Sequence, residues 1–215
     1  MKKKNGPDFS IESSYSGIVV SIDEAGRGPW AGPVVAGAVI LKKKGAPKGI
    51  NDSKLLSRTQ REELYDRICN VAATSVGIAT VEEIEQLNIL GATKLAMVRA
   101  YMGLGVEAEI ALIDGNQPPQ LPCLTRYVIK GDSQCLSIGA ASIIAKVTRD
   151  RMMSELAEAH PGYGWERNAG YGTRQHQDGI LKHGLTPHHR RRWKPIMKIL
   201  GEMPEETRTS QLELL

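Results

Sequence analysis

Residues 18–41 read IVVSIDEAGRGPWAGPVVAGAVIL, and this stretch decides the architecture. Ile18 to Asp23 and Pro33 to Leu41 are short β-rich runs. The Gly-rich Ala25 to Gly32 between them is too short for a helix and full of residues that permit a tight turn. The segment is therefore expected to be a β-hairpin with antiparallel strands. Strands and helices interleave through the rest of the chain, but the opening hairpin excludes a purely parallel sheet. The expected fold class is α/β, a five-stranded mixed sheet flanked by helices, with a small C-terminal helical appendage.

Outward from the hairpin, Ser57 and Gln60 form a capping box ahead of a helix over Arg58 to Asn70. Val71 to Ala79 reads as a third strand. Thr80 and Glu83 open a helical stretch through Leu104, expected to break near Gly91. Ile110 to Ile113 is a buried strand stopping at Asp114-Gly115, and Arg126 to Lys130 is a fifth strand closed by Gly131-Asp132. Ile138 to Ala159 is the longest helical pattern, followed by a Gly/Tyr loop, a helix over Gln175 to Lys182, and a basic segment around Arg190.

The 215 residues, 41% hydrophobic and 24% charged, suit a globular protein with a core. No run approaches the ~20 apolar residues of a membrane span, and Met1 to Ser16 lacks the apolar stretch of a secretory signal. Three cysteines without CxxC spacing argue against a disulfide framework or zinc site; buried thiols in a reducing cytoplasm are expected. A formal charge of +4 leans toward a polyanionic partner without deciding the matter.

Asp23 and Glu24 close the first strand, Asp114 ends another and Asp132 follows a third. Ligand sites in α/β sheets gather at strand ends, where loops aim side chains into a shared crevice. Four carboxylates meeting there would repel one another without a cation, and hard divalent ions such as Mg²⁺ take oxygen ligands. Any one of these acids is explained as well by turn formation; four at the ends of apolar strands favour a metal site. Asp150 is a rival for the fourth place, but it lies deep in the long helix between Arg149 and Arg151, where a surface ion pair explains it better.

Gly26 to Ala31 formally matches the G-x-G-x-x-G/A dinucleotide fingerprint. That pattern must open a helix, yet Pro33 to Leu41 is strand-like, and an acid pair directly before the loop would repel a pyrophosphate. Glycines do let the backbone approach a ligand closely, and Arg27 can contact phosphate.

These residues together resemble a family. Ser21 to Pro29 (SIDEAGRGP) is similar to the opening motif of ribonuclease HII, the type 2 ribonucleases H. Asn51 to Leu55 (NDSKL), Leu87 to Leu90 (LNIL), Leu112 to Gly115 (LIDG) and Lys130 to Asp132 (KGD) follow in the family's order. Ser137 to Asp150 (SIGAASIIAKVTRD), Gly170 to Thr173 (GYGT), His183-Gly184 and His189 to Arg191 complete a resemblance over residues 18–198. Gly139, where alanine is usual, and Ala169, where a basic residue often stands, depart from the pattern.

The resemblance implies an RNase H-like fold and a catalytic, metal-binding quartet of Asp23, Glu24, Asp114 and Asp132, with Mg²⁺ or Mn²⁺ as cofactor. It implies that the Gly26-Arg27-Gly28 turn and Tyr171 together sense a ribonucleotide and the deoxyribonucleotide after it, and that Lys54 contacts phosphate. Thr173 is carried with the Gly/Tyr loop as a substrate-binding position, and Arg190 and Arg191 with HHRRRWK (residues 188–194), a phosphate-tracking patch anchored by Trp193. The expected organisation is a flexible N-terminus (1–16), a catalytic domain (17–160), a substrate-binding helical segment (161–200) and a loose acidic tail (201–215). The expected activity is cleavage of RNA in RNA–DNA hybrids and nicking 5′ of single ribonucleotides in duplex DNA. A monomer in the cytoplasm is expected, with nucleic acid and no membrane as its partner. A basic nucleic-acid-binding protein without catalysis remains as the alternative, although clustered carboxylates would weaken its hold on a polyanion.

Overall fold

In the computed structural model, which describes residues 6–202, the hairpin forms as read. Strand β1 (Val19–Ala25) pairs antiparallel with β2 (Val34–Ile40), Asp23 opposite Gly37 and Glu24 opposite Ala36. β3 (Ala73–Ala79) continues antiparallel beside β2. On the other side β4 (Ile110–Asp114) joins β1 in parallel, and β5 (Leu124–Val128) joins β4 in parallel. The order is β3-β2-β1-β4-β5, the expected five-stranded mixed sheet. Parallel pairing matters for the site, because parallel strands end at the same edge. Ile22 pairs with Ile113, so the next residues along the two strands, Asp23 and Asp114, stand side by side at that edge.

Helix α1 (Arg58–Val71) and helix α2 (Val81–Met102) both begin with the complete capping boxes read from the sequence. Helix α3 (Leu136–Ala159) lies along the sheet and is buried over most of its first half. Strand alternation sorts the core. Val20, Ile22, Ala36, Ala38 and Ile113 pack with Ala92, Ala96 and Ala100 of α2 on one face. Val39 packs with Leu64 and Ile68 of α1 and Ala140 and Ile144 of α3 on the other. Each of the larger side chains here, the valines, isoleucines and Leu64, contributes about 1.5–3 kcal/mol when fully buried. Asp23, one residue from Ile22, accordingly projects to the α3 side. There the helix comes down almost onto the strand backbone: a Cβ on Gly37 would sit 2.6 Å from the Ala141 carbonyl oxygen.

Among the departures from the sequence expectation, three stand out. The break in α2 falls at Asn88 (φ 58, ψ 173), not Gly91, because the Asn88 side chain accepts from the Leu90 and Gly91 amides at 2.9 and 3.2 Å and caps the second half itself. β5 begins two residues early and stops at Val128, because Ile110 pairs with Leu124 and Lys130 turns left-handed (φ 54) into the short 3-10 turn Gly131–Ser133. The basic segment contains a helix that was not foreseen, α6 (Lys194–Leu200). It joins α4 (Trp165–Asn168) and α5 (Arg174–His183) in a cluster of Trp165, Ile180 and Ile196 with Ala31 and Met153. Residues 161–200 are thus fastened to the glycine turn and the far end of α3.

Residues 8–15, expected to be flexible, dock instead on the start of α3. Asp8 and Cys135 form a β-bridge, and buried Glu12 accepts from the Ser137 amide and hydroxyl at 2.8 and 2.7 Å. Residues 1–5 and the tail from 203 lie outside the described residues. All three cysteines are free, but only Cys135 is buried, and Cys69 is exposed rather than buried as expected.

Candidate active site

The edge where β1 and β4 end opens onto a cleft of about 520 Å³. Asp23 and Glu24 line it from β1, the Gly26-Arg27-Gly28 turn from the rim, Lys54 from the segment after β2, and Tyr171 from the Gly/Tyr loop. Asp114 accepts from the Gly131 amide at 2.6 Å, so the end of β4 holds the 3-10 turn that carries Asp132.

The four acids act on one another. Burial first, then Glu24 and Asp114, push the Asp23 carboxyl well above the usual carboxylate range, against the opposing hydrogen bond from the Glu24 amide. Burial also raises Glu24, although Arg27, 3.3 Å away, partly offsets it. Asp132 is pushed up to about 6 by burial, by Asp52 and by Asp114. Lys54 is lowered by burial and raised more by Asp52, Asp23, Asp132 and Asp114, so it ends above its ordinary value. A region that drives acids toward neutrality in this way is short of positive charge, and a bound divalent ion would reverse that pressure.

Among the described residues, no three His, Cys, Asp or Glu side chains form a ready-made cage for an ion. That is compatible with Mg²⁺, which keeps several waters and is held by one or two carboxylates together with substrate phosphate. The all-oxygen donor set suits such an ion, with Asp23, Glu24, Asp114 and Asp132 as the candidate ligands.

The turn itself is built around two arginines. Gly26 (φ +101) has no room for a side chain, since a Cβ there would overlap the Arg149 guanidinium. Arg149, buried, donates to the carbonyls of Pro33, Ala169 and Ala31 at 2.9, 2.9 and 3.0 Å. Arg190, expected as a phosphate contact, is fully buried. It donates to the carbonyls of Arg27, Pro29 and Gly32 at 2.9, 2.8 and 2.9 Å and to that of Gly26. A guanidinium enclosed by backbone oxygens cannot reach a phosphate, so that expectation is corrected: Arg190 builds the turn. Burial lowers Arg149 to about 10 and Arg190 to about 9, the latter helped by Arg149.

The other expected substrate residues divide. Tyr171 is 47% exposed, and a Cβ on Gly28 would lie 3.5 Å from its ring edge, so the two loops face each other across the cleft. Thr173 instead caps α5 through its hydroxyl, which also accepts from Asn168 at 3.2 Å. Arg191 is exposed and paired with Glu202 at 2.7 Å.

Several participants were missed. Asp52 caps the Lys54 turn, and its charge raises the Asp132 pKa. Ser142 donates to Ser53 at 2.7 Å, and Lys146 lines the cleft. Asp150 pairs with Lys146 at 2.7 Å and lies 3.9 Å from Arg61, which in turn grips the Ser53 and Leu56 carbonyls at 2.9 and 2.6 Å. Its ion pair is therefore half-buried, and its partners are not the flanking arginines. Ser142, Lys146 and Arg149 fall at four- and three-residue steps, a polar stripe on an apolar helix that the sequence displays. A second chain of buried groups supports Tyr171. The Thr186 amide donates to His189 Nδ1 (2.9 Å), which makes His189 Nε2 the donor to His176 Nε2 (3.1 Å) and His176 Nδ1 the donor to the Tyr171 carbonyl (3.0 Å). Burial keeps both rings neutral by lowering their pKa values, His189 to about 4.

The sequence profile described as Ribonuclease HII matches residues 20–196. Ribonuclease HII of Paramagnetospirillum magneticum is 54% identical over 198 residues, covering 90% of this chain and 98% of that protein. That of Jannaschia sp. is 55% identical over 196 residues, covering 91% and 98%. The crystal structure of ribonuclease H2 from Pyrococcus horikoshii aligns with a TM-score of 0.70 at 29% identity, covering 84% of this chain and 96% of that one. With the mixed sheet and its strand-end acids, these likenesses define the class: a metal-dependent endoribonuclease of RNase H-like fold. The chain belongs to the ribonuclease HII family. No helix of the described residues is long and apolar enough to cross a membrane.

Proposed function

We propose that this enzyme hydrolyses the RNA strand of RNA–DNA hybrids and also nicks duplex DNA on the 5′ side of a single embedded ribonucleotide. Water adds to the phosphorus, the bond from phosphorus to O3′ breaks, and the products are a 3′-hydroxyl and a 5′-phosphate. Two divalent ions, Mg²⁺ or Mn²⁺, would supply activation of the water and stabilisation of the leaving oxygen. Asp23, Glu24, Asp114 and Asp132 hold the charge that requires them, and Lys54 meets substrate phosphate.

The observation that carries the reading is the meeting of three features in one cleft: Asp23 and Glu24, the glycine turn and Tyr171. Only the 2′-hydroxyl marks a ribonucleotide, and a backbone that approaches closely can hydrogen-bond it. Arg190 occupies the Gly26 and Arg27 carbonyls, which leaves the turn chiefly its N–H groups to offer a ligand. The Tyr171 ring faces Gly28; packed on the next sugar, it would favour a deoxyribose, which lacks the crowding hydroxyl.

End-labelled duplexes carrying zero, one or many ribonucleotides test this. The all-DNA duplex should stay intact and the other two be cut, with the single-ribonucleotide product ending in a 3′-hydroxyl. Tyr171→Ala should reduce nicking of the single-ribonucleotide duplex more than cleavage of the hybrid. An intact single-ribonucleotide duplex beside a cut hybrid would remove the junction-reading role and leave a hybrid-specific nuclease.

A further inference from the structure

Among the described residues, Arg149 carries a buried positive charge with no carboxylate hydrogen-bonded to it, an expensive arrangement unless every donor direction is used. Its acceptors lie on two different segments. Pro33 and Ala31 follow the glycine turn, whereas Ala169 precedes Gly170-Tyr171. Only one direct backbone bond joins these two segments near the cleft, from the Trp30 amide to the Gly170 carbonyl at 2.8 Å. One rigid planar fork therefore spans the two loops whose facing edges are Gly28 and Tyr171.

Resting on the reading of Tyr171 given above, we infer that Arg149 is the positioning residue that sets the spacing between the glycine turn and the Tyr171 loop, and through it the preference for a ribonucleotide–deoxyribonucleotide junction. Arg149 touches no reacting atom in this account; it acts through the two loops. Lysine cannot replace it. An ammonium donates from a single point, whereas the guanidinium reaches three carbonyls in fixed directions. The acids stand on β1, β4 and the 3-10 turn, none of which Arg149 hydrogen-bonds, so a long hybrid offering many equivalent sites should suffer less from a change in loop spacing than a single junction.

The test compares single-turnover rates on the single-ribonucleotide duplex and on a long hybrid, with Mg²⁺, for the wild type, Arg149→Lys, Tyr171→Ala and the double variant, with thermal melts alongside. Misplacing one loop should lower the junction-to-hybrid rate ratio by ~10-fold in Arg149→Lys while the hybrid rate falls by about threefold. The double variant should have no lower a ratio than Tyr171→Ala alone, because both changes act on one contact. Equal losses on both substrates in Arg149→Lys, or a double-variant ratio equal to the product of the single effects, would overturn the inference. Should Arg149→Lys fail to fold, Gly170→Ala probes the same spacing, since a Cβ there would lie 2.5 Å from the Ala31 carbonyl oxygen and force the loops apart. A selective fall in its ratio supports the inference, and equal losses overturn it. If Tyr171→Ala leaves the ratio unchanged, the reading of Tyr171 fails by itself. Arg149→Lys then decides alone: a selective fall keeps its role through the glycine turn, and none removes it.

Discussion

Two buried charge clusters flank the same glycine turn, and they are satisfied in opposite ways. On one side Asp23, Glu24 and Asp132 sit close to other acids and are driven toward their neutral forms. On the other, Arg149 and Arg190 hydrogen-bond no carboxylate among the described residues, and their donors go to backbone carbonyls of residues 26–33 and 169. The arginines turn their hydrogen bonds to architecture, whereas the acids have only Arg27, 3.3 Å from Glu24, and Lys54 to offset their charge. Buried charge of one sign builds the site, and buried charge of the other sign is available to work in it.

The largest effect should come from removing one of those acids. Asp23→Asn and Asp114→Asn should each lower turnover by about a thousandfold or more, ~4 kcal/mol of barrier. Neither should unfold the protein. Removing one charge relieves repulsion, and the side-chain amide oxygen introduced by Asp114→Asn can still accept from the Gly131 N–H. Turnover assays with parallel melts in metal-free buffer check both halves; near-normal activity in Asp114→Asn would take that position out of the metal site.

The arginine side should fail differently. Arg190→Ala strands several buried carbonyls, and at about 1–3 kcal/mol for each unsatisfied group the fold should lose ~3 kcal/mol or more. Its neighbour Arg191 is exposed, so Arg191→Ala should leave the melt unchanged. If Arg191 contacts phosphate, the same change should reduce the log–log salt slope of substrate binding by ~0.9. Denaturant melts and binding at several salt concentrations separate the two residues; equal stability for both variants would contradict the assignment of Arg190 to the turn.

That pair also shows what the sequence displays and what it withholds. Asp23 and Asp114 were legible because an apolar strand that stops at an acid announces a strand end, and the hairpin fixed the direction of β1. The residues HHRRRWK announce only charge. Which arginine turns inward depends on the bridge between Ala31 and His189, a contact across more than 150 positions that no local pattern encodes. Asp52 was hidden for the same reason, since a polar turn before a lysine has no periodicity to place it beside Asp132. The stripe Ser142-Lys146-Arg149 could have been found, because polar residues at helical spacing inside a buried helix are exceptions that require partners.

The smallest effect is one of pH. The folded-state pKa of Asp132, about 6, lies above its ordinary value of 3.8, so the folded form holds a proton that the unfolded chain releases first. Its contribution to stability is therefore present below the unfolded value and is lost as pH rises through about 6. His176 and His189, lowered by burial, act in the opposite sense as pH falls below 6.5, so the comparison must be made against a variant. In chelator, Asp132→Asn should melt higher than the wild type at pH 7.5, with the gap closing toward pH 4.5. A gap independent of pH would mean that Asp132 is not held under this strain.

The central claim is that the strand-end acids form a site completed by divalent ions. Metal add-back on the single-ribonucleotide duplex tests it most directly, at single turnover after exhaustive chelation. The account predicts no cleavage in chelator, recovery on adding Mg²⁺ or Mn²⁺, and none with Ca²⁺, whose larger radius and longer ligand distances should misplace the attacking water. Full activity in excess chelator would contradict it.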